Sequence, residues 1–231
     1  MIIGSLMHRW LGRFGYQLST MPSLASFLSS RKIDLVLDVG GNVGQFGLNI
    51  RKAGYRGEII SFEPVPDAAD QLRQVAGRNM PWTVEQVGLG ESDGELDLNV
   101  SESSVFSSFL PQTEFARDFD RSSAVAYVIK AQVRRLDNYL PRVAGKRAFL
   151  KIDAQGFEAQ ALSGAGACLQ SVEGILLELP VQHLYQDTWQ LEEAVAHLRK
   201  LGYVISQLRP VNTLPDDRAS VVELDCVFRR V

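Results

Sequence analysis

The chain has 231 residues, of which 45 % are hydrophobic and 22 % charged, and its formal net charge is −3. That suits one globular α/β domain with a short N-terminal extension, and it gives no overall pull toward nucleic acid or an anionic membrane. No run of about 18 apolar residues exists to span a bilayer, and the two cysteines, Cys168 and Cys226, have neither metal-ligand spacing nor a CxxC pair, so they are expected to be reduced, buried thiols of a cytoplasmic protein.

The first segment, MIIGSLMHRWLGRFGYQL, places Leu6, Trp10, Phe14 and Leu18 at helical spacing. It lacks the long apolar core and small-residue cleavage site of a signal peptide. It is expected to form a helical extension within residues 1–30, packing on the domain or on a second subunit to give a homodimer, with a membrane-surface helix as the lesser alternative. From residue 31 onward, strand-like and helix-like segments alternate. IDLVLDV (33–39) is an apolar strand, followed by a helix from Val43 to Ala53. GEIISFE (57–63) is the next strand, and Pro66 to Ala76 a helix with proline in its first turn. Trp82 to Val87 is a third strand. Apolar strands separated by helices predict a parallel sheet covered on both faces.

The alternation breaks over residues 91–142. ESDGELDLNV reads as a turn and a short strand, and residues 101–127 are polar, serine-rich and aromatic. That is long for a connection, and such loops usually carry function. AYVIKAQVRRLDNYL is a strand leading into a helix start, with Asp137 expected to cap that helix or sit in its first turn. The alternation then resumes with RAFLKID (147–153), a helix from Gly156, GILLELP (174–180) and an amphipathic helix over Leu191 to Leu201. YVISQL (203–208) and VVELDCVFRR (221–230), joined by a turn containing proline and aspartates, predict an antiparallel pair at the sheet edge.

The stretch LVLDVGGNVGQFGLNI, residues 35–50, carries the first functional signal. Ligands of open parallel sheets sit beyond the carboxyl ends of the strands, where strand order reverses. Glycines let backbone and ligand approach closely, and the following helix aims its free N–H groups at the same place. The spacing D-V-G-G-N-V-G is not the G-x-G-x-x-G of dinucleotide sites. Asp38, two residues before the first glycine, would repel a pyrophosphate. A second acid, Glu63, ends the next strand 25 residues later, where a carboxylate can accept both ribose hydroxyls. A nucleoside with a cationic tail fits this pair, which describes S-adenosylmethionine.

VLDVGGNVGQFG, SFEPVPDA, VGLGESDG, RRLDNYL and FLKIDAQGFEAQALSGA, in this order and spacing, resemble the FkbM-type S-adenosylmethionine-dependent methyltransferases. The resemblance covers roughly residues 30–230, with KIDAQGFE its most specific element. It implies a Rossmann-like class I methyltransferase fold, with a seven-stranded, mostly parallel sheet and an antiparallel C-terminal hairpin, occupying residues 31–231. Gly41 stands where alanine is commoner, which looks sterically harmless, and Glu91 where aspartate is usual. The resemblance puts Asp38, Gly40, Asn42 and Gly44 at the methionine end of the cofactor and Glu63 at the ribose. It puts Pro64 and Val65 on one side of the adenine and Gly88 and Leu89 on the other. The serine-rich segment, with Ser103, Ser104, Phe106, Ser107 and Ser108, approaches cofactor and substrate as a lid, and Ser108 is counted with the cofactor residues.

Methyl transfer to a hydroxyl needs positioning and a base, or a metal that lowers the hydroxyl pKa. Asp153 ends its strand facing the cleft and is the leading catalytic candidate. Glu178 ends the next strand beside it, so the two could hold Mg²⁺, or one could be the base and the other its orienter. Glu158 reads as a first-turn acid favoured by the helix dipole. Lys151 shares a face with Asp153 and is expected to pair with an acid. His183 is a further candidate base by its ordinary pKa, and Tyr185 reads as packing. The expected function is an O-methyltransferase of a small-molecule hydroxyl, a substrate class (sugar, glycosylated or polyketide product) that comes from the family alone. The alternatives are a non-catalytic S-adenosylmethionine-binding or partner-binding module and transfer to a non-hydroxyl acceptor. A nucleic-acid methyltransferase would want a basic surface and an Asn/Asp-Pro-Pro-aromatic motif, where this chain has Asp153-Ala-Gln-Gly.

Overall fold

The computed structural model describes residues 23–231, so the N-terminal amphipathic helix and the dimer contact assigned to it lie outside the described residues. The elements run α1 (Leu24–Ser30), β1 (Leu35–Val39), α2 (Gln45–Lys52), β2 (Glu58–Phe62), α3 (Pro66–Gly77), β3 (Trp82–Glu85), β4 (Gly88–Leu89) and β5 (Gly94–Ser101). They continue with α4 (Glu114–Phe119), β6 (Val125–Arg134), α5 (Leu140–Val143), β7 (Ala148–Ile152), α6 (Glu158–Ser163), β8 (Val172–Pro180), α7 (Leu191–Lys200), β9 (Tyr203–Thr213) and β10 (Val221–Arg230). Seven strands form one sheet in the order β3-β2-β1-β7-β8-β10-β9. All are parallel except β10, which runs against both β8 and β9. This is the class I methyltransferase arrangement expected from the sequence. Strand order reverses between β1 and β7, which puts their carboxyl ends at the topological switch point.

The central strands are apolar because both faces are buried, and their side chains alternate between two cores. Leu35, Leu37, Ile60, Phe62, Leu150 and Ile152 pack on one face with α6 and α7. Val36, Ile59, Phe149 and Leu176 pack on the other with α1, α2 and α3. Among the described residues no helix is long and apolar enough to cross a membrane. Cys168 and Cys226 are buried free thiols, as expected.

Two details go beyond the sequence reading, and a third differs from it. The two strands expected within 91–142 pair with each other and with β4 in a second sheet, β4-β6-β5. β5 and β6 pair antiparallel along nearly their whole length, and Leu98, Val100 and Ala131 pack with Val65 and Ala68 at the start of α3. Asp137 sits in the first turn of the helical turn Leu136–Tyr139, as expected, and also caps a neighbour: its Oδ1 accepts from Ala167 N at 2.9 Å and Cys168 N at 3.0 Å. A Cβ on Gly41 would lie 2.9 Å from both Leu72 Cδ2 and Ser61 Cβ, so alanine there is not free of cost.

Arg51, on α2, shows how the β1–β2 edge is held together. Its guanidinium is buried and donates to the carbonyls of Tyr55 at 3.2 Å, Gly57 at 2.7 Å and Pro81 at 2.8 Å. Those oxygens lie just ahead of β2 and β3, where Pro81 O also accepts from Ile59 N and Tyr55 O from Arg56. Arg51→Met keeps the stem but leaves the Gly57 carbonyl without its donor and cuts the link between the two strand starts. Urea unfolding of the variant is expected to show a loss of about 2–4 kcal/mol.

Candidate active site

A cavity of about 720 Å³ opens at the carboxyl ends of β1, β2, β7 and β8. One end of its lining is apolar, with Pro64, Val65, Gly88, Leu89, Leu98 and Phe109. Glu63 also lines the cavity and is buried. Its Oε2 accepts from Asn42 N at 2.8 Å and its Oε1 from Val65 N at 2.9 Å. These bonds fix the carboxylate while leaving each oxygen a further lone pair for a ligand hydroxyl. Burial pushes its pKa up to about 7, against the lowering by those two N–H groups. Gly40 turns the chain with φ 72°, and a Cβ there would overlap the carbonyl oxygen of Asp153. An apolar stretch of lining, a buried carboxylate with lone pairs to spare and an open glycine turn suit S-adenosylmethionine.

Beneath the turn lies a buried charge cluster. Asp38 is 0 % exposed. Ser61 Oγ donates to its Oδ2 at 2.7 Å, and Trp82 Nε1 donates to Ser61 Oγ at 2.9 Å. Lys151 Nζ lies 3.2 Å from Asp38 Oδ1 and 3.4 Å from Asp153 Oδ2, and donates to the carbonyls of Val39 at 3.1 Å and Gly40 at 2.7 Å. Burial opposes its charge, but Asp153 and Asp38 more than offset this and hold it charged above the ordinary lysine range. Asp38 thus braces the turn from behind and does not line the cavity. Gly44, at the start of α2, faces Leu72, Val75 and Trp82, and it too lies behind the wall.

Asp153 forms the floor next to Glu178, and the C-terminal hairpin adds Arg209, Asn212, Glu223 and Asp225. Burial, then Asp153 and Glu223, raise the Glu178 pKa well above the ordinary carboxyl range. Asn212 Nδ2 donates to Glu223 Oε2 at 2.6 Å, and Arg209 pairs with Asp225 at 3.6 Å. Both oxygens of Asp153 already face donors, Gln155 Nε2 at 2.7 Å and Lys151 Nζ at 3.4 Å. Lys151 already sets a cation against one oxygen of Asp153, so an added divalent cation would meet a like charge there. Among the described residues no group of three or more His, Cys, Asp or Glu side chains is arranged to hold a metal.

The remaining candidates fall around this centre. Glu158 is buried and accepts from Ala154 N at 2.8 Å and Gly156 N at 3.2 Å, shaping the loop after β7. His183 does not line the cavity: its Nδ1 meets Thr188 Oγ1, and its carbonyl accepts from Thr113. Glu91 is exposed and lies outside the cavity lining. Residues 101–127 are ordered, with helical turns at Ser104–Phe106 and Arg121–Ser123 around α4. Ser104, Val105, Phe106, Ser107 and Phe109 line the cavity. Asn42 Nδ2 donates to Ser104 Oγ at 3.1 Å on one wall, and Ser108 Oγ donates to Gln155 O at 2.6 Å on the other. Ser108 is thus a strap residue, buried outside the cavity lining. Sequence reasoning missed Ser61, Gln155 and the hairpin acids. The signal for the last was available: Glu223 and Asp225 interrupt a strand that is otherwise apolar up to Phe228.

A family model described as the methyltransferase FkbM domain matches residues 38–205. The chain belongs to that family. S-adenosylmethionine-dependent methyl transfer is accordingly its reaction class. Three relatives align with it. The AMB antimetabolite synthetase AmbE of Pseudomonas aeruginosa is 30 % identical over 205 residues, and the match covers 74 % of this chain but 10 % of that protein. Methyltransferase 1 of Beauveria bassiana is 26 % identical, with 78 % of this chain and 76 % of that protein covered. The hexuronic acid methyltransferase AglP of Haloferax volcanii is 27 % identical over 148 residues, covering 63 % of this chain and 56 % of that protein.

If Glu63 accepts the ribose hydroxyls, its raised pKa is expected to make cofactor-product binding pH-dependent in this FkbM chain. The ionised carboxylate only accepts hydrogen bonds, as ribose hydroxyls require, and protonation removes part of that capacity. S-adenosylhomocysteine affinity, followed by calorimetry, is expected to rise about tenfold between about pH 6 and about pH 8. Glu63→Gln is expected to bind weakly and to flatten the profile.

Proposed function

We propose that the chain methylates a hydroxyl group of a small molecule, a sugar or a glycosylated or polyketide natural product. The observation that carries this reading is Asp153 on the cavity floor, with one oxygen toward Lys151 and the other toward Gln155. Both contacts are from donors, which is what an ionised carboxylate accepts. When bound, S-adenosylmethionine supplies an electrophilic methyl group on a cationic sulfur. Asp153 takes the acceptor's hydroxyl proton as the oxygen attacks, in general-base fashion. Burial and its acidic neighbours raise the Glu178 pKa well above the usual carboxyl range, and in its protonated form it donates a hydrogen bond that helps hold the acceptor. The two carboxyls thereby divide into a base and a donor because their surroundings differ. The strap from Ser104 to Phe109 excludes water.

The hexuronic acid methyltransferase among the relatives supports a sugar-like acceptor. Within the proposal, residues 31–231 act as one catalytic domain, with residues 101–127 as its lid. His183 plays no part as the base, because its ring is engaged outside the cavity.

The test begins with calorimetric titration of S-adenosylmethionine and S-adenosylhomocysteine into the full chain and into Glu63→Ala. Binding by the wild type that is lost in Glu63→Ala supports the reading, and no binding by folded wild type overturns it in favour of a partner-binding module. Radiolabelled methyl transfer to a panel of methyl glycosides follows. Asp153→Ala is expected to lower the rate by about 10²- to 10⁴-fold while S-adenosylhomocysteine is still bound.

A further inference from the structure

Gln155 occupies a costly conformation. It is not glycine, yet its φ is +53°, and such a residue persists where its surroundings over-determine it. Here they do. Its carbonyl accepts from Ser108 Oγ, its Nε2 donates to Asp153 Oδ1 at 2.7 Å, and Tyr185 Oη lies 2.8 Å from its Oε1. Tyr185 is 4 % exposed, and its Oη also lies 3.0 Å from the carbonyl oxygen of Phe106 in the strap.

Counting hydrogens in this chain exposes a shortage. An ionised Asp153 offers only acceptors, so Gln155 must turn Nε2 toward it and Oε1 toward Tyr185. Tyr185 then has one hydrogen and faces two acceptors, Gln155 Oε1 and Phe106 O, so the strap carbonyl is only partly served. A proton on Asp153 reverses the order. The acid donates to Gln155 Oε1 while its other oxygen stays on Lys151. The amide turns over so that Nε2 donates to Tyr185 Oη, and the tyrosine hydrogen passes wholly to Phe106 O. Every group in the chain then has its partner.

We propose that Gln155 and Tyr185 are positioning residues that aim Asp153 and tie its protonation to the strap, which grips more tightly once Asp153 has taken the acceptor's proton. This rests on the reading of Asp153 as the base. In the step itself the acceptor O–H bond breaks and its proton goes to the free lone pair of Asp153 Oδ1, and the new hydroxyl then turns about its C–O bond to point at Gln155 Oε1. The oxygen bonds to the methyl carbon, and the methyl–sulfur bond breaks with its electron pair kept by sulfur. The strap is therefore firmest when product is present and loosens when Asp153 loses its proton.

Asp153→Asn mimics the protonated acid, because Lys151 requires an oxygen on its side and so directs the new amide N–H toward Gln155. Hydrogen exchange of the backbone amides of residues 104–110, measured on the full chain with S-adenosylhomocysteine bound, is expected to slow in Asp153→Asn by about threefold to tenfold, the worth of one hydrogen bond. A residue with a merely structural role would loosen the strap on substitution, not tighten it. In a Gln155→Met background, and separately in Tyr185→Phe, the same Asp153→Asn change is expected to leave the rates unaltered, a non-additivity that marks a shared network. Equal rates in wild type and Asp153→Asn, or the same slowing in all three backgrounds, overturn the inference and leave the methyltransferase reading intact. Failure of folded wild type to bind S-adenosylhomocysteine overturns the reading on which it rests.

Discussion

The site is organised around one buried ammonium. Lys151 has two acids and two carbonyls within reach, one acid from each of the strands that meet at the switch point. Removing a buried charge partner costs several kcal/mol because the survivor has no water to turn to. Lys151 is the cation that faces the fully buried Asp38, and the Gly40 carbonyl to which it donates belongs to the glycine turn after β1. The same atom holds one oxygen of Asp153. The structural and chemical halves of the site therefore depend on a single side chain, which also lies 5.6 Å from the centre of the Phe46 ring.

Much of the fold is legible in the sequence because strong patterns dominate it. Strands buried on both faces must be continuously apolar, and IDLVLDV and GILLELP say so. The antiparallel last pair follows from two strand-like runs with no helix between them. The second sheet was harder to read. β6 is exposed over much of its length, so its sequence, VAYVIKAQVR, lacks the apolar continuity of a core strand. Its pairing with β5 spans a long insertion that no local pattern encodes. Asp137 illustrates the same limit: a capping residue is recognisable, but which helix it caps depends on tertiary packing.

The site was legible where residue type and strand end coincide. Glu63, Gly40, Asn42 and Asp153 fall where their positions predict. Asp38 shows how a correct location can carry the wrong role: an acid at a strand end can face the ligand or brace the loop from behind, and only the partners Ser61, Trp82 and Lys151 decide. His183 drew notice because it follows the strand of Glu178 near the expected cleft, and the structure turns its ring toward Thr188, outside the cavity lining. Gln155 left almost no local trace, because its importance lies in contacts with residues 30 and 47 positions away.

The serine-rich segment is anchored on both sides of the cavity, to Asn42 after β1 and to Gln155 after β7. A bridge fastened at both banks lies across the traffic beneath it. Lifting Ser104–Phe109 off the cavity breaks hydrogen bonds on two separate loops. If the strap acts as the proposed lid, its opening would pace the turnover together with the chemistry.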